Sequence, residues 1–132
     1  MTLRLIQAGL ALALAVAVIP AAAMAQEPLA GDPAGGEKIY HQICSLCHSN
    51  QKGVIKIGPP LYGDYGRVAG TYPGFHYSEQ LKAFGRKWDV ATLRIWEAGP
   101  RKYVPGTKMT FPGLKTDKQI NDMIAYLQTL HD

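Results

Sequence analysis

Cysteine is scarce in this chain, since Cys44 and Cys47 are the only two among 132 residues. A structural zinc site usually requires two further cysteine or histidine ligands at short spacing, and none accompanies this pair. A thioredoxin-like dithiol is expected within a strand–helix–strand pattern, and no such pattern is visible. The small number of cysteines therefore disfavours a zinc site, and the missing strand–helix–strand pattern disfavours a redox-active dithiol.

Regular alternation of apolar and polar residues is also missing, so no segment is predicted to be a β-strand. The chain has no internal repeat and no low-complexity segment beyond an apolar stretch near its N-terminus. A large excess of one charge is absent too, because the formal net charge is only +4. That charge is too small to indicate nucleic acid as a partner. The sequence predicts a small all-α domain with long loops.

The most informative feature that is present is the segment Cys44-Ser45-Leu46-Cys47-His48. C-x-x-C-H is the attachment signature of c-type haem. The two thiols can form thioether bonds to the haem vinyl groups, and the adjacent imidazole can reach the iron as its proximal ligand. We therefore expect one covalent haem c, held by Cys44 and Cys47 and ligated by His48.

The first 25 residues fit a cleavable secretory signal peptide. Arg4 supplies a positive charge, residues 8–19 are small and aliphatic, and Ala23-Met24-Ala25 matches the cleavage pattern. A retained membrane anchor is the alternative, but Pro20 interrupts the apolar stretch, which falls short of the ~20 residues that a bilayer requires. We expect cleavage after Ala25, export to a bacterial periplasm, and one mature domain over residues 26–132.

Helix signals are clear at both ends of the mature chain. Asp32-Pro33 predicts a helix start, and the apolar spacing that follows predicts a helix ending near His48, with the cysteine motif on its last turn. A second helix is predicted from about Asp89 to Gly99-Pro100. The third begins with the capping-box pattern Thr116 to Gln119. Its apolar face comprises Ile120, Met123, Ile124, Leu127 and Leu130. A short helix is also predicted over residues 78–84.

The sixth position on the iron decides between carrying electrons and catalysis. Met123 lies on the apolar face of the last predicted helix, where core packing explains it. Met109 lies in a loop flanked by proline and glycine, which can hold a side chain rigidly toward a cofactor. The spacing favours Met109 without proving it, and His41, His76 and His131 are interpreted as surface or loop residues.

The ordered motifs of the mature chain are similar to those of class I cytochromes c, in the mitochondrial and bacterial cytochrome c2-like branch. The motifs that carry this resemblance are residues 44–48, Gly58-Pro59-Pro60-Leu61-Tyr62-Gly63, Gly66-Arg67-Val68-Ala69-Gly70, Gly74-Phe75-His76-Tyr77-Ser78, Trp88, and Tyr103-Val104-Pro105-Gly106-Thr107-Lys108-Met109. The resemblance covers essentially all of the mature chain. It implies a single-domain fold of three main helices, short helices and long loops wrapped around the haem.

The resemblance also implies roles for particular residues. Met109 becomes the distal iron ligand, beside His48 as the proximal one. The carbonyl of Pro59 accepts a hydrogen bond from the proximal imidazole, and a buried haem propionate is held by Arg67, Tyr77 and Trp88. Gly36 and Tyr40 match the point where the first helix crosses the last, opposite Met123 and Tyr126.

Two positions depart from the mitochondrial branch. Trp96 stands where that branch usually has tyrosine, and Leu81 stands where it usually has asparagine. An indole and an aliphatic chain replace a phenol and an amide, so we expect a drier distal side with altered hydrogen bonding. We therefore do not assume that this protein has the reduction potential of other family members.

These features predict a soluble periplasmic mono-haem electron carrier and not an enzyme. It would pass electrons between a quinol-oxidising complex or a dehydrogenase and a terminal oxidase or reductase; a carrier dedicated to one dehydrogenase is left open. The alternative is a peroxidase-like haem protein with a labile distal ligand. By resemblance, the basic residues at the haem edge that would face acidic redox partners are Lys56, Arg101, Lys102, Lys108 and Lys115. We expect a monomer that contacts membrane complexes only transiently.

Overall fold

The computed structural model describes residues 31–132, so the predicted leader and its cleavage site lie outside the described residues. Five α-helices and one 3₁₀ turn follow in chain order. They are α1 (Pro33–Gln42), the 3₁₀ turn (Cys44–Leu46), α2 (Glu79–Phe84), α3 (Val90–Ala98), α4 (Pro100–Tyr103) and α5 (Asp117–Leu127). Within residues 31–132 the strand-like pairing is limited to an isolated bridge between Val68 and Lys87. The all-α prediction is confirmed.

Side-chain caps set the starts of four helices. The Asp32 carboxylate accepts a hydrogen bond from Ala34 N, and the Asp89 carboxylate accepts one from Thr92 N. Ser78 caps α2 in the same manner. Thr116 forms the complete capping box with Gln119 at the start of α5. Each cap satisfies a backbone N–H that the helix itself leaves without an acceptor, so the predicted helix starts are confirmed.

The predicted end of the first helix is wrong. Helix α1 ends at Gln42, and Ile43 leaves helical geometry with φ −126° and ψ −60°. The cysteine motif then begins in a tighter 3₁₀ turn, where the Cys47 N–H donates to the Cys44 carbonyl at 3.1 Å. A 3₁₀ turn has three residues per turn, so the side chains of Cys44 and Cys47 stay on one side of the chain.

Two other helix ends differ from the sequence pattern. Gly99-Pro100 ends α3 as predicted, but Pro100 also opens α4, because its fixed φ and missing N–H suit the first helical position. Helix α5 ends at Leu127, with Gln128 as its C-cap. Leu130 therefore lies beyond the helix whose apolar face it was predicted to extend.

Helices α1 and α5 cross in close contact, as the resemblance implied. Gly36 is buried at the crossing, and a Cβ placed there would lie 2.6 Å from Cβ of Tyr126. The rings of Tyr40 and Tyr126 pack with their centroids 5.7 Å apart. The Tyr40 hydroxyl donates to the His48 carbonyl at 3.2 Å and accepts from Asn50 N at 2.9 Å. The crossing therefore anchors the segment that carries the cysteine motif.

Within the described part of the chain, no helix is long and apolar enough to cross a membrane.

Candidate haem site

A cavity of about 390 Å³ opens between the cysteine motif, helix α3 and the loop that precedes α5. Its volume lies in the range of small-molecule and cofactor sites. Seven of the eight predicted site residues line it: Cys44, Cys47, His48, Pro59, Tyr77, Trp88 and Met109. The eighth, Arg67, does not. The fold therefore brings together residues that are separated along the chain.

The His48 ring is held by a backbone carbonyl. Its Nδ1 lies 2.7 Å from the Pro59 oxygen, and because a carbonyl can only accept, Nδ1 must carry the proton. Burial lowers the pKa of His48, partly opposed by this hydrogen bond, and the charge of Lys56 lowers it further. A neutral ring protonated at Nδ1 leaves Nε2 with a free lone pair, which is the form that binds a metal.

Gly58 makes this ring position possible. A Cβ at residue 58 would lie 2.7 Å from Nδ1 of His48, where real Cβ atoms essentially never approach another atom. The Gly58 N–H also donates to the Cys47 carbonyl at 2.8 Å. The segment after the cysteine motif therefore turns back tightly against the imidazole.

Gly58→Ala should displace the His48 ring, because the new methyl group occupies space beside Nδ1 and the Gly58 backbone is hydrogen-bonded to Cys47 and Lys56. We expect the purified haem protein to lose about 1–3 kcal/mol of unfolding free energy and to show an altered haem absorption spectrum. Urea unfolding and absorption spectra measure both. Pro59→Ala is the matched control, since it keeps the carbonyl acceptor and should leave the spectrum unchanged. A wild-type spectrum and stability in Gly58→Ala would contradict the assignment.

The two cysteines are unpaired thiols, and both are partly exposed. Burial raises the pKa of Cys44 to about 12, and the charge of Glu97 adds to this shift. Cys44 is therefore a protonated thiol at neutral pH. Between the two cysteines, the carbonyl of Ser45 accepts a hydrogen bond from Lys56 Nζ, which ties a basic side chain to the outer face of the motif.

Met109 and Met123 both line the cavity, but in different settings. Met123 is only 1% exposed and belongs to the buried core on α5. Met109 is partly exposed and sits on the loop after α4, where its N–H faces the Thr107 hydroxyl at 3.4 Å. The neighbouring Lys108 donates to the His76 carbonyl at 3.0 Å and so attaches this loop to another one. Met109 thus packs against the core from a loop, whereas Met123 is part of the core on a helix.

The residues predicted to hold a propionate do not all reach the cavity. Trp88 is 5% exposed and Tyr77 is half-buried, and both line it. Arg67 lies in a separate cleft, 5.0 Å above the ring of Tyr72. Its Nε is buried without a hydrogen-bond partner in the described structure. The nearby anion is Asp64, whose Oδ1 lies 4.0 Å from this nitrogen, too far for a hydrogen bond, and the Arg67 side chain is 29% exposed. The propionate role of Arg67 stays a prediction.

The distal wall is apolar where Leu81 and Trp96 contribute to it. They are 7% and 6% exposed, and the rings of Trp96 and Trp88 pack 4.8 Å apart. The histidines considered as alternative ligands, His41, His76 and His131, are exposed and do not line the cavity. Among residues 31–132, no cluster of three or more His, Cys, Asp or Glu side chains could hold a metal ion.

Sequence reasoning missed two acidic residues in the cavity wall, Asp64 and Glu97. Glu97 is 7% exposed, on the buried face of α3 beside Leu93 and Trp96. A usable signal was present, because Glu97 follows Leu93 by four positions and so interrupts an apolar helix face. Asp64 gave no such signal, since it lies in an irregular loop.

Comparisons with known proteins show which family the chain belongs to. The family model for cytochrome c matches residues 33–131. The chain is 47% identical over 102 residues to the cytochrome c of Euglena viridis, a match that covers 77% of this chain and 100% of that one. It is 46% identical over 100 residues to the cytochrome c2 of Rhodopila globiformis, covering 76% and 94% respectively.

A solved structure shows the same architecture. Cytochrome cH from Methylobacterium extorquens aligns with a TM-score of 0.70 at 46% identity, covering 75% of this chain and 99% of that chain. The family carries covalent haem c, and Cys44 and Cys47 have the attachment spacing. The chain belongs to the cytochrome c family of mono-haem electron carriers and has the class I fold.

Proposed function

We propose that this protein is an exported periplasmic electron carrier whose haem iron is ligated by His48 and Met109. The observation that carries the proposal is the placement of both residues in one cavity, with the His48 tautomer fixed by Pro59. The cavity also fits the group chemically. It offers a neutral imidazole nitrogen, a thioether and two thiols within a largely apolar lining.

When bound, haem supplies a centre that accepts and releases one electron. The chain's residues determine how easily it does so. The thioether of Met109 is a neutral ligand, which favours the reduced iron and raises the reduction potential. The apolar walls formed by Trp96 and Leu81 act in the same direction, because burial disfavours the additional positive charge of the oxidised form.

Two protein ligands also argue for a carrier over an enzyme. If His48 and Met109 both held the iron, a substrate could reach it only after one of them had left. Met109 is restrained by the Lys108–His76 hydrogen bond on the neighbouring residue. The peroxidase-like alternative requires a labile distal ligand, and no observation favours it.

The exposed rim of the cavity is where partners would dock. Lys108 lines the cavity and is exposed, and Lys56 is exposed beside the cysteine motif. The exposed apolar side chains of Leu46 and Ile57, at 71% and 77% exposure, also line the cavity. Arg101, Lys102 and Lys115 are exposed as well but do not line the cavity. A basic rim steers toward acidic partner surfaces.

Kinetics with a quinol-oxidising complex and with a terminal oxidase test the docking role. We expect electron-transfer rates to fall as salt rises, because screening becomes strong beyond ~8 Å at physiological ionic strength. Lys56→Gln and Lys108→Gln should each slow the low-salt reaction, while the exposed Lys38→Gln on α1 should not. Rates that do not depend on salt, or equal losses in all three variants, would contradict a docking surface at this rim.

Export is tested separately by mass spectrometry of protein from a periplasmic fraction. We expect a haem-containing chain that begins at Gln26, because the cleavage pattern ends at Ala25. Recovery of the intact leader in the membrane fraction would show a retained anchor instead.

A further inference from the structure

Two carboxyl side chains line the cavity in which the haem would sit. Glu97 comes from α3 and is 7% exposed, while Asp64 comes from the loop after Leu61 and its side chain is 17% exposed. Acidic side chains are almost never buried unless they are paired. If haem occupied this cavity, the charge of these two carboxyl groups would act directly on it.

Neither carboxyl group is fully compensated. Within residues 31–132, no hydrogen bond and no positive charge stabilises the ionised Glu97 side chain. The Asp64 side chain has one cation near it, Arg67, whose Nε lies 4.0 Å from Oδ1. Burial raises the pKa of Glu97 to about 7, and the negative charge of Asp64 adds to the shift. Burial likewise raises the pKa of Asp64 to about 7, opposed by Arg67. Both groups are thus poised near neutral pH.

The other titratable side chains that line the cavity are Cys44, Cys47, His48, Tyr77 and Lys108. Once haem is attached, both thiols are neutral thioethers, and the His48 nitrogen is committed to the iron. Burial raises the pKa of Tyr77 to about 12, and Lys108 is exposed at the rim. Helix α5 contributes only Met123 and Leu127 to this cavity. Within residues 31–132, the two carboxyls are therefore the cavity groups suited to exchange a proton near neutral pH.

We propose that Asp64 and Glu97 form a proton site coupled to the haem, which takes up a proton when the haem is reduced. This inference rests on the proposed carrier function and concerns the same cavity. It makes the protein a carrier of an electron together with a proton over the pH range in which the pair titrates.

Charge explains the coupling. The oxidised centre carries one more positive charge than the reduced centre, so it favours an ionised carboxylate beside it. An electron from the redox partner converts ferric iron to ferrous iron and removes that charge. A proton from solvent then forms an O–H bond on a carboxylate oxygen. Reoxidation returns the electron to the acceptor and the proton to solvent, and no other bond changes.

The first test is a redox titration of the intact haem protein from about pH 5 to about pH 9, a range that spans the shifted carboxyl pKa values. The sign follows from the charge, since an ionised carboxylate stabilises the oxidised form and the potential falls as pH rises. Full coupling of one proton to one electron changes the reduction equilibrium constant tenfold per pH unit, which is about 59 mV for a one-electron couple. A potential that stays flat across this range would overturn the proposal.

Variants locate the proton. In the double variant Glu97→Gln and Asp64→Asn, the potential should be high and nearly independent of pH, and each single variant should weaken the dependence. Glu79→Gln is the matched control, because the Glu79 side chain is 83% exposed on α2, and it should keep the wild-type profile. If the double variant kept the wild-type slope, the proton would reside elsewhere, for example on a haem propionate, and the assignment would be wrong.

Infrared difference spectra of the wild-type protein provide a readout that needs no stable variant. Reduction should produce a protonated-carboxyl C=O band that is absent from the oxidised state, and Glu97→Gln should remove or shift it. Absence of such a band at neutral pH would overturn the proposal.

A potential that is independent of pH, together with reversible one-electron oxidation and reduction, would rule out the proton site and leave the carrier function intact. If the haem protein could not be oxidised and reduced reversibly, the carrier function itself would be ruled out.

Discussion

Met109→Ala should keep the haem covalently attached while lowering its reduction potential by a few tenths of a volt. Attachment depends on Cys44 and Cys47, which the substitution leaves unchanged. The potential depends on the axial ligands, whose identity moves haem potentials across about 0.8 V. In the proposed ligation, loss of the Met109 thioether would remove the ligand that favours the reduced iron. Redox titration measures the potential, and binding of cyanide or imidazole measures the opened position.

Met123→Leu is the control for this experiment. Met123 lines the same cavity but is 1% exposed within the core, so a volume-conserving replacement should cost less than about 1.5 kcal/mol and leave the potential unchanged. An unchanged potential in Met109→Ala, or a large drop in Met123→Leu, would mean that the distal ligand has been assigned to the wrong residue.

Gly36→Ala should destabilise the protein by roughly 3 kcal/mol or more, at the upper end of the overpacking range. The new Cβ would collide with the Asp122 carbonyl and lie 2.6 Å from Cβ of Tyr126. Both are backbone or backbone-attached atoms, which cannot move without separating α1 from α5. Alanine is a better helix former by about 1 kcal/mol, but that gain is smaller than the cost of parting the helices.

The matched control is Gly99→Ala. A Cβ at residue 99 would meet Cβ of Lys102 at 3.7 Å, an ordinary van der Waals contact, and φ of 173° is open to any residue. The free energies of unfolding of the two variants, measured in urea, should therefore differ by most of the loss predicted for Gly36→Ala. Equal stability of the two variants would contradict the close helix crossing.

The helix starts were predictable because their signals are local. Thr116 with Gln119, and Asp32 before Pro33, satisfy backbone N–H groups within a few residues of themselves. The end of the first helix was not predictable from its periodicity, since the apolar spacing continues through the cysteine motif. The 3₁₀ turn instead follows from tertiary contacts, with His48 held by Pro59 and Tyr40.

Part of the site was predictable from local sequence, and part of it was not. Cys44, Cys47 and His48 form a local motif, whereas the spacing alone only favoured Met109, and the roles of Pro59, Tyr77 and Trp88 came from the resemblance. Arg67 shows a limit of assigning roles by resemblance, because a loop residue can match a family motif and still lie outside the cavity wall. Asp64 shows another limit, because it lies in an irregular loop whose approach to the cavity depends on segments that are distant in the sequence.

The oxidised absorption spectrum of the purified haem protein, recorded before and after cyanide is added, tests the central claim most directly. Ligation by His48 and Met109 predicts a low-spin spectrum with a weak iron–thioether charge-transfer band in the red, and slow displacement of Met109 by cyanide. A high-spin spectrum that changes as soon as cyanide is mixed in would show an open sixth position and would contradict the account of this protein as an electron carrier.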